Sequence, residues 1–130
     1  MLLVLWAGSL WALSSMPGDA VELPSISYAD KVAHFVYFFV GGFLWAAFLS
    51  RLIPWRGVKL IACTGALIAL IGAVDEVHQL WTPNRSGCDV GDWLADSAGG
   101  VTGAFVFVCL HALAGKRRPE EADKLAPPGN

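Results

Sequence analysis

The stretch VKLIACTGALIALIGAVDEVHQ (residues 58–79) is a long apolar run that ends abruptly in polar side chains. From Val58 to Val74 the only charged residue is Lys59, and the run is close to the ~17–25 residues that a helix needs to cross a bilayer. Asp75 and Glu76 follow it directly. The stretch therefore predicts a membrane-spanning helix with acidic groups at one end.

The rest of the chain has the same character. Its 130 residues are 55% hydrophobic and 15% charged, whereas soluble domains are ~45–50% apolar with about a quarter of their residues charged. Three further apolar runs extend from Met1 to Met16, from Val32 to Leu49 and from Trp93 to Ala114. We therefore expect an all-α, polytopic membrane protein, a bundle of four transmembrane helices with short loops that resides in the lipid bilayer.

The first run is the shortest, and it ends in Ala12-Leu13-Ser14, which resembles the cleavage site of a signal peptide. No Lys or Arg precedes it, although signal peptides carry a basic segment there. A retained span is therefore the favoured interpretation.

Basic residues predict the orientation, since they are enriched in cytoplasmic loops. They flank the turn between the second and third runs and follow the fourth run: Arg51, Arg56, Lys59, Lys116, Arg117, Arg118 and Lys124. Both termini are then cytoplasmic, and the loops at about 17–31 and 79–91 face outside. The predicted organisation is a transmembrane domain over residues 1–115 and a disordered cytoplasmic tail over 116–130.

Composition also limits the partners. The basic residues flank spans and form no dense stripe, so a nucleic-acid partner is not expected. Cys63, Cys88 and Cys109 do not make a disulfide framework. Apolar surface left on a bundle of four short helices makes a homo-oligomer plausible.

Polar side chains gather where the second, third and fourth helices meet the outer side. In chain order they are Asp30, Lys31 and His34, then Asp75, Glu76, His78 and Gln79, then Asp89, Asp92 and Asp96. Ionisable groups are expensive near hydrocarbon and are functional hypotheses by default. We therefore predict a polar pocket that opens to the outside.

Within this set, Glu76 and His34 are the candidates for acid–base work. Glu76 shares a helix face with Gln79, and histidine exchanges a proton near neutral pH. Asp75 is expected to point elsewhere, toward the neighbouring outer loop. The candidate ligand-binding residues are Asp30, Lys31, Asp75, Gln79, Arg85, Asp89, Asp92 and Asp96.

Carboxylates in the first turn of a helix stabilise it, which accounts for Asp89 or Asp92. Asp96 lies too deep for that effect, so we expect it to pair with Lys31, Arg85 or His34, or else to be protonated. Arg85, in the loop before the fourth helix, is expected to neutralise Glu76 or Asp89 or to hold an anionic ligand group.

A metal is not assigned from the sequence. Oxygen ligands on three helices suit Mg²⁺ or Ca²⁺, but the paired Glu-x-x-His arrangement of bundle di-metal sites is absent.

Gly99 and Gly103 form a small-xxx-small pair, which predicts close packing of the fourth helix on a neighbour.

These residues resemble the VanZ-like family of small bacterial membrane proteins. The resemblance lies in Asp30-Lys31-x-x-His34-Phe35, Asp75-Glu76-x-x-Gln79, Pro-x-Arg85 and Asp92-x-x-x-Asp96-x-x-Gly99-Gly100, with Ser14-Ser15-x-Pro17 ahead of them. One departure is Asp96, where the family more often carries Asn. The resemblance implies a helical domain in the bacterial cytoplasmic membrane and, from the founding member, a contribution to resistance against the glycopeptide teicoplanin.

The expected function is to engage a lipid-linked or amphiphilic molecule of the cell envelope, with an effect on glycopeptide susceptibility. Three alternatives stay open. A small envelope hydrolase or transferase would use Glu76 and His34; a transport or proton-relay subunit would need a polar path through the bundle; a structural subunit would use the acids as ion-paired struts.

Overall fold

Four α-helices make up the fold, and the described part of the chain contains no strand. The computed structural model describes residues 1–20 and 28–125, of which 116–125 are described as backbone only. The helices are α1 (Leu2–Ser14), α2 (Ala29–Leu52), α3 (Gly57–Gln79) and α4 (Val90–Leu125), and a short 3-10 turn covers Gly18–Ala20. The all-α prediction is confirmed.

Three helices are long and apolar enough to cross a membrane. They are α2 with 24 residues, α3 with 23 residues and the part of α4 from Val90 to Gly115 with 26 residues. At 1.5 Å per residue each exceeds the ~30 Å hydrocarbon core. Large apolar side chains such as Val36, Leu70 and Phe105 are exposed on their outer faces. This is the surface that a membrane protein presents to lipid.

The first helix is shorter than a span. Its 13 residues extend over about 20 Å, well below the ~30 Å hydrocarbon core. The prediction of four transmembrane helices is therefore confirmed only in its coarser form, as four helices of which three can span.

The closest packing in the bundle joins α2 to α4 through glycines. A Cβ atom added to Gly99 would overlap the carbonyl oxygen of Phe35, and one added to Gly103 would overlap that of Phe39. Only glycine lets the two backbones approach this closely. The predicted small-xxx-small contact is thereby confirmed.

An aromatic anchor attaches α1 to the other helices. Trp6 is buried with Phe38 and Ile68. Its Nε1 donates to the carbonyl oxygen of Tyr37 at 3.1 Å, and the Tyr37 hydroxyl donates back to the carbonyl oxygen of Trp6 at 2.9 Å. The indole covers Gly41, where a Cβ would collide with it. α1 is thus held by packing and by a reciprocal pair of hydrogen bonds.

The last helix extends beyond the predicted membrane domain. α4 continues to Leu125, whereas the sequence predicts a disordered tail from Lys116. Prolines and mixed charges favour disorder, but Glu, Ala and Lys in the same segment have high helix propensity. Residues 126–130 lie outside the described residues, and the division of the chain at residue 115 stays a prediction.

Candidate functional site

At one end of the bundle, Lys31 in the first turn of α2 gathers three carboxylates. Its Nζ lies 3.0 Å from Oδ1 of Asp92, 3.3 Å from Oδ2 of Asp30 and 3.4 Å from Oδ2 of Asp89. Asp92 is on α4, and Asp89 directly precedes that helix. The Lys31 ammonium group therefore joins the starts of α2 and α4. Sequence reasoning expected Lys31 among these acids but could not say that it contacts three at once.

One turn deeper, His34 contacts the fully buried Asp96. His34 Nδ1 lies 2.9 Å from Asp96 Oδ1, and Asp96 has no exposed surface. Of the partners that the sequence allowed for Asp96, the structure selects His34. Asp96 fits there because it packs against Gly72 of α3, where a Cβ would lie 2.8 Å from Asp96 Oδ2.

Glu76 of α3 completes this deeper cluster. It is 3% exposed, and its Oε2 accepts a hydrogen bond from the backbone N–H of Asp89 at 2.8 Å. One potential ligand atom from each of His34, Glu76 and Asp96 can be chosen so that all three lie within 4.8 Å of one another. The other oxygens, Glu76 Oε1 and Asp96 Oδ2, are buried without a hydrogen-bond partner. We call these three residues the His34 cluster.

Asp75 and Gln79 are hydrogen-bonded to each other, whereas the sequence suggested that their side chains point in different directions. Gln79 Nε2 donates to Asp75 Oδ2 at 2.9 Å, and both side chains are buried. The expected grouping of Gln79 with Glu76 on one face, with Asp75 pointing elsewhere, is therefore corrected. Spacings of three and four residues both place side chains on a common face, so spacing alone does not distinguish the two pairings.

Arg85 lies farther from the acids than predicted. Its Nε and one terminal nitrogen donate to the carbonyl oxygens of Met16 and Leu13, at 3.2 and 3.0 Å. Within residues 1–20 and 28–115, no carboxylate lies within 4.0 Å of its guanidinium. The prediction that Arg85 neutralises Glu76 or Asp89 is therefore wrong, because the end of α1 lies beneath this loop and offers backbone acceptors.

Two more bonds attach the same loop to the end of α1 and to the 3-10 turn that follows it. Thr82 Oγ1 donates to the carbonyl oxygen of Ser14 at 3.1 Å, and the backbone N–H of Gly18 donates to the carbonyl oxygen of Pro83 at 3.0 Å. The last carbonyls of α1, which have no partner inside the helix, are thus satisfied by residues from the loop between α3 and α4.

Asp89 caps α4. Its Oδ1 accepts hydrogen bonds from the backbone N–H groups of Gly91 and Asp92 at 2.6 and 3.4 Å, as expected for a residue just before a helix. The bond from Gly91, together with Lys31, holds the pKa of the Asp89 carboxyl below its usual range. The predicted helix-start role of Asp89 is confirmed.

A cavity of about 260 Å³ lies between α1, α2, α3 and the loop that carries Arg85. Its polar lining includes the acidic and amide groups of Asp30, Asp75, Gln79 and Asp92, and also His34. The apolar residues of the lining are Leu10, Leu13, Ala33, Tyr37 and Phe38. The cavity therefore combines polar and apolar lining residues.

Sequence reasoning missed the contribution of α1 and of the third turn of α2. Ser14 is buried and lines the cavity, as do Tyr37 and Phe38. The spacing of Tyr37, three residues after His34 and seven after Asp30, was an available signal, since such residues share a helix face. His78, one of the polar residues that the sequence groups at this end, stacks on Trp11 with ring centroids 4.1 Å apart.

The fold and site define a small all-helical membrane protein with a buried cluster of acids and histidine at one end of its bundle. The chain belongs to the VanZ/LLP1 family, whose model matches residues 2–111. This confirms the resemblance drawn from the motifs. Searches of curated proteins and of solved structures found no match.

Proposed function

We propose that this VanZ-like membrane protein binds the polar head group of an amphiphilic cell-envelope molecule in the cavity beside Arg85. The observation that carries the proposal is the mixed lining of the cavity, in which acids and an amide occur together with Leu10, Leu13 and Phe38. A volume of about 260 Å³ is just below the ~300–1,000 Å³ of typical small-molecule sites. It accommodates a head group with the first part of an apolar chain, and not a whole glycopeptide.

The charges favour Arg85 over Lys31 as the anion contact. Lys31 already has three carboxylate partners. Arg85 contacts two neutral carbonyls and retains further N–H groups in a planar fork, which suits phosphate or carboxylate. The acidic lining residues suit hydrogen-bond donors or a cationic group on the same ligand. The expected ligand is therefore a head group that carries an anion and donor groups together.

The positive-inside bias supports an outward-facing cavity. Arg51, Arg56 and Lys59 lie at the end of α2 and the start of α3, opposite the end that holds the His34 cluster. Cytoplasmic loops are enriched in such residues, which supports a position of the cavity on the outer side of the cytoplasmic membrane. A lipid-linked cell-wall component is accessible there.

A growth assay with a matched control tests the proposal. Wild type, Arg85→Ala and Arg56→Ala are expressed at equal membrane abundance in a susceptible Gram-positive host, and growth is measured against teicoplanin and vancomycin. Arg56 is the control because it also donates to nearby carbonyls, those of Ile53 and Trp55, but far from the cavity. We expect protection against teicoplanin by wild type and Arg56→Ala, and its loss in Arg85→Ala.

A binding measurement separates the ligand from the phenotype. Lipids that co-purify with each variant are identified by mass spectrometry, and the expected result is an amphiphile enriched with wild type and Arg56→Ala and depleted with Arg85→Ala. Equal lipid profiles for all three proteins, or protection that persists without Arg85, would contradict the assignment.

A hydrolase or transferase is the second candidate, because the cavity-lining His34 is oriented by a buried carboxylate 2.9 Å away. A positioned carboxylate–histidine pair is a common general-base arrangement. Turnover of a labelled lipid-linked substrate by purified wild type, lost in Glu76→Gln and in His34→Gln, distinguishes catalysis from binding.

A further inference from the structure

The His34 cluster joins three potential metal ligands from three different helices. We propose that His34, Glu76 and Asp96 bind one divalent transition-metal cation, of the Zn²⁺ or Mn²⁺ type. The site shares His34 with the lining of the head-group cavity but does not depend on the envelope ligand proposed above. It goes beyond the sequence expectation, which assigned no metal.

Unpartnered buried oxygens are the first reason. Glu76 is 3% exposed and Asp96 has no exposed surface, yet Oε1 of the first and Oδ2 of the second have no hydrogen-bond partner. Buried carboxylate oxygens without partners are costly, and buried charges are normally paired or bound to metals. Across residues 1–20 and 28–115, no Lys or Arg nitrogen lies within 4.0 Å of either carboxylate. A bound cation supplies the missing charge.

The spacing of the atoms is the second reason. Ligands about 2.1 Å from a metal lie about 3.0–3.4 Å apart when they are neighbours in an octahedral or tetrahedral coordination shell. His34 Nδ1 and Asp96 Oδ1 are separated by 2.9 Å, and a ligand atom of Glu76 completes a set within 4.8 Å. The distances from the Glu76 ligand atom to the other two must shorten where they exceed this spacing, so that all three atoms contact one ion.

The hydrogen bonding of Glu76 suits a metal ligand, because one of its two oxygens is fixed by the protein. The backbone N–H of Asp89 donates to Oε2 at 2.8 Å, which fixes the carboxylate and leaves Oε1 available. Outer hydrogen bonds of this kind orient metal ligands and raise metal affinity.

The donor set selects the metal class. One imidazole nitrogen and two carboxylate oxygens suit Zn²⁺ and Mn²⁺ better than Mg²⁺ or Ca²⁺, which prefer oxygen throughout. With a neutral imidazole the two carboxylates carry two negative charges, and one divalent cation balances them. Three protein ligands also leave a coordination position for water.

Metal content of the purified protein tests the site. Full-length protein without an affinity tag is stripped with a chelator in detergent, incubated with Zn²⁺ or with Mn²⁺, desalted and analysed by elemental mass spectrometry. We expect wild type to retain about one ion per chain, with affinity at least about tenfold lower in Glu76→Gln, Asp96→Asn and His34→Gln. Asp19→Asn, which changes an exposed acid outside the cluster, should bind like wild type.

Circular dichroism and gel filtration accompany each variant, because replacing the buried Asp96 can disturb folding. If Asp96→Asn does not fold, the isosteric Glu76→Gln decides the question. Retention of neither metal by wild type, or equal retention by wild type and a folded Glu76→Gln, overturns the proposal. Arg85→Ala should keep its metal, so failure of the head-group proposal and failure of this one give different results.

Discussion

Replacing Gly103 with Ala tests whether the glycine contact between α2 and α4 determines the stability of the bundle. A Cβ atom at this position overlaps the carbonyl oxygen of Phe39, which belongs to helix backbone and cannot rotate away. Overpacking costs typically ~1–3 kcal/mol, whereas alanine gains about 1 kcal/mol over glycine inside a helix. The net effect lies between neutral and about 2 kcal/mol of destabilisation.

A matched control isolates the steric part. Gly115 is on the same helix, but a Cβ there meets no atom within 4 Å, so Gly115→Ala retains only the propensity gain. The two variants should therefore differ by about 1–3 kcal/mol, or roughly 5- to 150-fold in the unfolding equilibrium constant. Gly8→Ala is a second open-space control on α1.

Unfolding in mixed micelles with increasing dodecyl sulfate, followed by helical ellipticity and tryptophan fluorescence, measures this difference. Equal midpoints and slopes for Gly103→Ala and Gly115→Ala would refute the view that α2 and α4 require glycine at their contact.

Two further predictions concern other parts of the molecule. Trp6→Ala removes a buried indole and its hydrogen bond to Tyr37, so we expect a loss of about 3–5 kcal/mol in the docking of α1, seen as faster proteolysis within α1. Lys31→Met should raise the pKa of Asp89 only part of the way toward 3.8, because the stronger bond from Gly91 remains; a carboxyl NMR titration measures it. The folded-state pKa of Asp89 is lower than its ordinary value of 3.8. The ionised carboxylate therefore contributes to stability above about pH 3.8. This contribution is lost as the pH falls below 3.8 and passes through the folded-state pKa.

Hydrophobic runs and small-residue spacing predicted much of this fold. Membrane-spanning length is read directly from a run such as Val58 to Val74, and the Gly99–Gly103 spacing indicated a contact that the structure contains. The pairing of His34 with Asp96 was within reach, because topology places the start of α2 beside the start of α4. These features depend on composition and periodicity, which a single sequence contains in full.

The partners of Arg85 and Asp75 were beyond prediction for two different reasons. Arg85 bonds to main-chain carbonyls 69 and 72 residues away, and a carbonyl has no residue-specific signal in a sequence. The assignment of Gln79 to Asp75 and not to Glu76 depends on how α3 is rotated about its axis. That rotation is set by packing against Asp96 at Gly72, a tertiary contact.

The distance along the chain between His34 and Asp96 has a consequence for biosynthesis. They are separated by 62 residues, and the contact cannot form before α4 has been made. At synthesis rates of ~5–20 residues per second, α2 is exposed for roughly 3–12 s with its histidine, its lysine and the backbone that receives Gly99 and Gly103 unmatched. The bundle is therefore completed late, once α4 leaves the ribosome, and a truncation before Asp96 would deprive α2 of its main partner at the site.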